Sequence, residues 1–183
     1  MLETFFKPQL INVNLESSDK DELFEEMVEL FARGDCGIDR QEALDALIAR
    51  EEKMTTGIIP SVAIPHASAP SVKGGFGAIG ISRAGIEYGS LDAKPVHVVF
   101  MLLFGSDGTA LHLKVMQQLA LILKDPQAAS KLAEKKTAQE VYDELCSLDT
   151  GKDHYIFGYF IEEAYYRDRI PQIKSELKFP PMT

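Results

Sequence analysis

Apolar positions recur along this chain with two different periods, and the switching between them outlines a layered domain. Gln9–Leu15 has period two: Ile11, Val13 and Leu15 share one face and Asn12 and Asn14 the other, which predicts a short half-buried strand. A helical stripe of Leu23, Met27, Leu30 and Phe31 follows, with Asp19 placed to cap it and Gly34 and Gly37 to close it. Asp39-x-x-Glu42 has the form of a capping box. It predicts a second helix that turns Ala43, Leu44, Leu47 and Ile48 inward and ends near Arg50–Lys53.

From Thr55 to Ser82 the pattern changes: the stretch is rich in Gly, Pro, Ala and Ser and holds no acidic residue. Ser61–Ile64 reads as a short strand, Pro65–Gly75 as a loop and Phe76–Ser82 as a further strand, with Ala84–Gly89 a turn or weak strand. Val96–Phe104 is an unbroken β-branched and aromatic run, as expected of a strand buried on both faces. Thr109 can cap the next helix, which is apolar over much of its surface up to Leu123. A short helix starts at Pro126, and Thr137-x-x-Glu140 opens a last one carrying Val141, Leu145 and Leu148. Strands alternating with helices argue for an α/β fold.

Length adds a boundary. The 183 residues exceed a single domain of about 150 residues by a modest extension. We therefore read 1–150 as the domain and 151–183 as an aromatic-rich extension. Tyr155, Phe157, Tyr159, Phe160, Tyr165 and Tyr166 crowd twelve positions there, and are expected to pack on the domain or on the second subunit of a homodimer. The longest strongly apolar run, Val96–Phe104, is too short to span a bilayer. Glu3, Lys7 and Pro8 interrupt the start where a signal peptide needs apolar residues, so a cytoplasmic location is expected. Nineteen basic against 28 acidic residues leave a net charge of −9, which disfavours nucleic acid as a partner. The acidic surface suits a basic protein partner or serves solubility alone. Cys36 and Cys146 lack metal or redox spacing and read as reduced, packed thiols.

Candidate chemistry then narrows to the histidines, His66, His97, His112 and His154. No metal-ligand spacing and no nucleotide-binding glycine motif is present, so neither metal nor cofactor is expected. His97, at the start of the apolar run, and His154 read as structural residues satisfied by local hydrogen bonds. His66 sits just past a predicted strand in Ile64-Pro65-His66-Ala67-Ser68, where Pro65 restrains the backbone and the small residues leave room for a bulky group. His112 falls in the first turn of a predicted helix, where free N–H groups favour an anion; as a lone observation it reads first as an exposed helical residue. Arg50 is either a solvated cation at a helix C-terminus or a forked donor to phosphate oxygens.

Arg50-Glu51, Thr55-Thr56-Gly57-Ile58, Val62-Ala63-Ile64-Pro65-His66 and the later Leu111-His112-Leu113 stand in the order and spacing of one family. Over residues 5–148 the chain resembles the enzyme IIA component of the mannitol/fructose family, from the phosphoenolpyruvate-dependent sugar phosphotransferase system, including its nitrogen-regulatory branch. The resemblance implies a mixed, mainly parallel five-stranded sheet with helices on both faces. It implies that His66 accepts a phosphoryl group from the carrier HPr and passes it to an enzyme IIB partner. Arg50 and His112 would line the site and stabilise the phosphoryl group, and Thr55, Thr56, Pro65 and Ala67 would form the surrounding loop. Two departures stand out: Ile59-Pro60-Ser61 replaces a more Gly-rich approach to the strand, and the tail after Gly151 lies outside the pattern. Beside a sugar-uptake phosphocarrier, the sequence leaves open a regulatory protein acting through its phosphorylation state, and a binding module that kept the fold without the chemistry.

Overall fold

The structure is a computed structural model that describes residues 1–149; the segment 151–183, with the packing expected for it, lies outside the described residues. Its elements run α1 (Leu2–Phe5), β1 (Phe6–Asn12), α2 (Lys20–Arg33), α3 (Arg40–Lys53), β2 (Val62–Ala63), β3 (His66–Ser68), β4 (Gly75–Ile86), β5 (Val96–Phe104), α4 (Thr109–Leu123), α5 (Ala128–Ala133) and α6 (Ala138–Leu148).

β5 is the strand that the apolar run predicts, and it lies at the centre of a mixed five-stranded sheet. β4 pairs with it antiparallel, β1 joins the far side of β4 in parallel, and β2 and β3 both pair in parallel with the other edge of β5. Three pairings are therefore parallel, but the longest ladder, β4 with β5, is not. The pleat sorts β5 into two cores. Val98, Phe100, Leu102 and Phe104 pack among residues of α1, α4, α5 and α6, while Val99, Met101 and Leu103 face α2 and α3. Helices on both faces make a three-layer sandwich. Val96 breaks the alternation by falling on the same side as Val99. The cause is a bulge: the His97 and Val98 N–H groups both donate to the Ser61 carbonyl, at 2.9 and 3.1 Å.

Several elements differ from the sequence reading for local reasons. The first strand begins at Phe6, before the expected Gln9, and ends at Asn12, where the Asn12 side chain accepts from the Asn14 N–H and turns the chain. β4 runs on past Ser82 to Ile86 and so takes in the first half of the weak stretch Ala84–Gly89. Gly108, not Thr109, is the cap position of α4. The expected loop 65–75 contains β3, and β2 and β3 pair with β5 in unbroken register, as one edge strand interrupted at Ile64-Pro65. His66 is thus the first residue of a strand segment, not a loop residue. The Pro60 departure also finds its place. The Val62 N–H donates to the Ile59 carbonyl at 3.0 Å, and Ser61 has φ +67°, the pattern of a type II turn with proline at its second position.

Candidate active site

Three elements converge where β3 meets the carboxyl end of β5. Pairing sets His66 beside Leu102 and Ser68 beside Phe104, so His66 stands close to the turn that leads into α4. That turn needs glycine: a Cβ at Gly105 would run into the Val72 carbonyl, whereas the Gly105 N–H donates to the Gly74 carbonyl at 2.9 Å. It starts α4 immediately beyond the strand and puts His112 in the first turn of that helix. From the other side α3 packs on β3 and presents Ala46, Ala49, Arg50 and Lys53, one helical face. With His66, Ala67, Ser68 and His112 these residues line a cavity of about 360 Å³.

Inside it the His66 and His112 rings lie 5.1 Å apart between centroids, tilted by 46°. His112 rests on the Phe104 ring, 4.7 Å away. The His66 Nδ1 is 2.8 Å from the Ile64 carbonyl oxygen. A carbonyl only accepts, so Nδ1 carries the proton and Nε2 keeps its lone pair. Burial, reinforced by the nearby Arg50 and His112, lowers the pKa of His66 to about 4, although the Ile64 carbonyl and Glu51 pull the other way. His112 is also lowered, by burial first and Arg50 second. Both rings are therefore neutral near pH 7. Arg50 donates through Nη1 to the Met54 carbonyl at 3.0 Å, which anchors the guanidinium at the end of α3. A neutral imidazole with a free Nε2, walled by a guanidinium and a lysine, has the chemistry to attack an electrophilic centre that carries negative charge.

Residues 4–147 match the family described as phosphoenolpyruvate-dependent sugar phosphotransferase system, EIIA 2. The chain belongs to that family. This EIIA chain is 33% identical over 133 residues to the PTS system fructose-specific EIIABC component of Bacillus subtilis, covering 73% of this chain but 21% of that protein. It is 31% identical over 147 residues to the fructose-specific EIIA component of Haloferax volcanii, covering 80% of this chain and 96% of that protein. Its fold matches the crystal structure of nitrogen regulatory protein IIA-Ntr from Neisseria meningitidis with a TM-score of 0.73 and 30% identity, over 79% of this chain and 98% of that one.

Among the residues singled out from the sequence, His66, His112, Arg50 and Ala67 line one cavity. Pro65 is buried beside it, and its carbonyl accepts the Leu102 N–H at 2.9 Å. Thr55 and Thr56 do not line it. The Thr55 hydroxyl accepts the Gly57 N–H, and Thr56 is buried with its hydroxyl 2.6 Å from Glu51 and 2.7 Å from the Tyr88 hydroxyl. His97 lies apart, its Nδ1 2.8 Å from the Ser82 carbonyl. Sequence reasoning passed over Ala46, Ala49 and Lys53, which share the face of α3 that carries Arg50. Ser68, read from the sequence as a small residue leaving room beside His66, lines the cavity as well. A larger cavity of about 710 Å³ lies elsewhere, between β1 and α2. Glu16, Glu22, Glu25, Glu26 and Glu29 line it, which is the wrong sign for a phosphate. Among the described residues no group of three or more His, Cys, Asp or Glu is arranged to hold a metal ion, and no helix is long and apolar enough to cross a membrane.

Proposed function

We propose that this EIIA chain is a phosphocarrier that takes a phosphoryl group onto His66 and hands it on. The Nε2 lone pair attacks phosphorus on an HPr-type donor; the new N–P bond forms as the donor's bond to phosphorus breaks, and that electron pair leaves with the donor. His66 keeps its Nδ1 proton on the Ile64 carbonyl, so the phosphorylated ring becomes cationic and is itself a good leaving group for the next transfer. Arg50, Lys53 and the N–H groups at the start of α4 offset the phosphoryl charge, and His112 offers a neutral donor beside it.

The observation that carries this reading is the fixed tautomer of His66 facing His112 in a cavity walled by Arg50. The test is incubation with phosphoenolpyruvate, enzyme I and HPr. An acid-labile, base-stable phosphate is expected on the wild type and absent from His66→Ala; full labelling of that variant would overturn the reading.

The onward acceptor in the uptake reading is an enzyme IIB, in line with the fructose-specific names of two relatives, one of them an EIIABC component. The likeness to IIA-Ntr supports a second reading, in which the phosphorylation state controls other proteins. Transfer to a fructose- or mannitol-class IIB separates the two, since only the uptake reading requires it. A cytoplasmic location, with the extension 151–183 packing on the domain or on the second subunit of a homodimer, completes the proposal. Light scattering on the full chain and on a version ending at Thr150 tests the dimer.

A further inference from the structure

The phosphocarrier reading uses His66, His112 and Arg50, and leaves unused a buried charged cluster directly behind them. Glu51 follows Arg50 on α3, but its carboxylate turns into the protein, where its side chain is only 6% exposed. A buried carboxylate persists only when paired and hydrogen-bonded, and this one is paired throughout. It accepts the Thr56 N–H at 3.1 and 3.2 Å, the Thr56 hydroxyl at 2.6 Å and the Lys20 ammonium at 3.0 Å. Since the carboxylate only accepts, the Thr56 hydroxyl donates to it and receives in turn from Tyr88, 2.7 Å away. Burial, with Glu51 nearby, raises the Tyr88 phenol pKa well above its usual value, so Tyr88 remains a donor. Lys20 completes the cluster from the start of α2, its ammonium 4.6 Å from the centre of the Tyr88 ring.

The cluster reaches His66 through the backbone. Gripping both the N–H and the hydroxyl of one residue leaves Thr56 little freedom to shift or rotate. The Thr56 carbonyl accepts the Ile64 N–H at 3.2 Å, and the Ile64 carbonyl lies 2.8 Å from His66 Nδ1. Pro65, between the two, holds the chain to β5 through its own carbonyl. Each member is satisfied, and a fully satisfied buried network is rigid.

We propose that Glu51 is the positioning residue of His66: by clamping Thr56 it fixes the Ile64 carbonyl, which holds the Nδ1 proton and presents Nε2 to the phosphoryl group. Lys20 and Tyr88 hold the clamp and do not meet the substrate. The proposal rests on His66 as acceptor, yet its first consequence is visible in the unphosphorylated chain. Glu51 also places a negative charge behind a ring that becomes cationic on phosphorylation, which favours the charged product.

Nitrogen-15 NMR of the imidazoles in the full chain reads the tautomer directly, and a time course with HPr reads the transfer. In the wild type His66 is expected as the Nδ1–H form. In Glu51→Gln a second tautomer appears, and the transfer rate falls roughly tenfold to a hundredfold with the half-saturating HPr concentration unchanged. Thr56→Val, which loses the hydroxyl and keeps the N–H, shows a smaller change in the same direction, and Thr56→Ser restores the wild-type tautomer. Wild-type tautomer and rate in folded Glu51→Gln would overturn the proposal. Should that variant not fold, Thr56→Val and Lys20→Met decide it by the same two measurements. A wild-type chain that takes no phosphate from HPr, while Glu51→Gln still moves the tautomer, would sink the phosphocarrier reading and leave the clamp standing.

Discussion

Burial is the largest of the influences that keep the His66 imidazole neutral well below pH 7. The same burial has a thermodynamic signature. An unfolded chain takes up a proton at His66 near pH 6.5, whereas the folded chain resists until about pH 4. Between those values the unfolded state binds more protons, so stability rises with pH and is lost as pH falls. The loss attributable to His66 between pH 7 and 4 is at most about 3 kcal/mol. His66→Gln should flatten that part of a urea-midpoint profile; an unchanged slope would refute the lowered pKa. His112 adds a slope of the same sign, which the variant retains. For Arg50 the expected effect is kinetic. Arg50→Ala should slow labelling by about 10²–10³-fold, and Arg50→Lys should recover only part of it, because an ammonium cannot bond to the Met54 carbonyl and fork onto two phosphoryl oxygens. Timed phosphate incorporation checks both. His66, Arg50 and His112 each sit beside a local signal (a proline-restrained strand end, a helix end and a helix start), but it was the family resemblance that joined them into one site. Lys20 and Tyr88 carry no such mark. Their meeting at Glu51 follows from where α2 and the segment after β4 pack, which no local pattern encodes.

Elements divide by whether their own residues or their neighbours specify them. β5 was readable residue for residue, because burial on both faces demands an unbroken apolar run. β3 was not: three residues between Pro65 and Pro70 are too few for a period, and the register comes from β5. Helix caps show the same division. Thr137 and Glu140 close a complete capping box at α6. Asp39 and Glu42 begin one at α3 but open it to admit Ser71, whose hydroxyl accepts the Asp39 N–H at 3.2 Å while Glu42 accepts the Ser71 N–H at 2.9 Å. The tetrapeptide was visible in the sequence and the inserted serine was not. Thr137→Ala should cost about 1 kcal/mol of stability in urea denaturation, the usual worth of a side-chain cap. Ser71→Ala should cost less than half of that, since the Asp39 N–H is exposed and water can replace the lost acceptor. Equal losses would mean that the opened box carries as much of its helix as the closed one.

Across the whole molecule, charge and chain closure act over distances that a sequence window cannot span. The net charge of −9 hides a segregation: acidic side chains gather along the groove between β1 and α2, while the cavity at His66 is lined by Arg50 and Lys53 without a carboxylate. Strand direction was equally hidden, because alternation reports which face is buried and not which way a neighbour runs. Closure links the two ends of the described residues to the site. The Asp149 carboxylate, 5% exposed, accepts the Leu2 N–H at 2.9 Å and the Met1 ammonium at 3.2 Å. The Tyr142 hydroxyl donates to the Glu3 carbonyl at 2.9 Å, so α6 grips α1 at two points. Phe5 of α1 stacks on Phe104 at 5.6 Å, and Phe104 is the ring against which His112 rests. Asp149→Ala should therefore lower stability by about 1–3 kcal/mol, the cost of leaving a buried donor unpaired. Asp149→Asn, which keeps an acceptor for Leu2, should lose less. Hydrogen exchange separates this from a general weakening. The Leu2 amide should lose protection in Asp149→Ala well beyond the amides of β5, because α1 is released while the central strand still requires global unfolding to exchange. Uniform loss across α1 and β5 would mean that the clamp belongs to the core as a whole, and that the support of His112 through Phe5 and Phe104 does not depend on it.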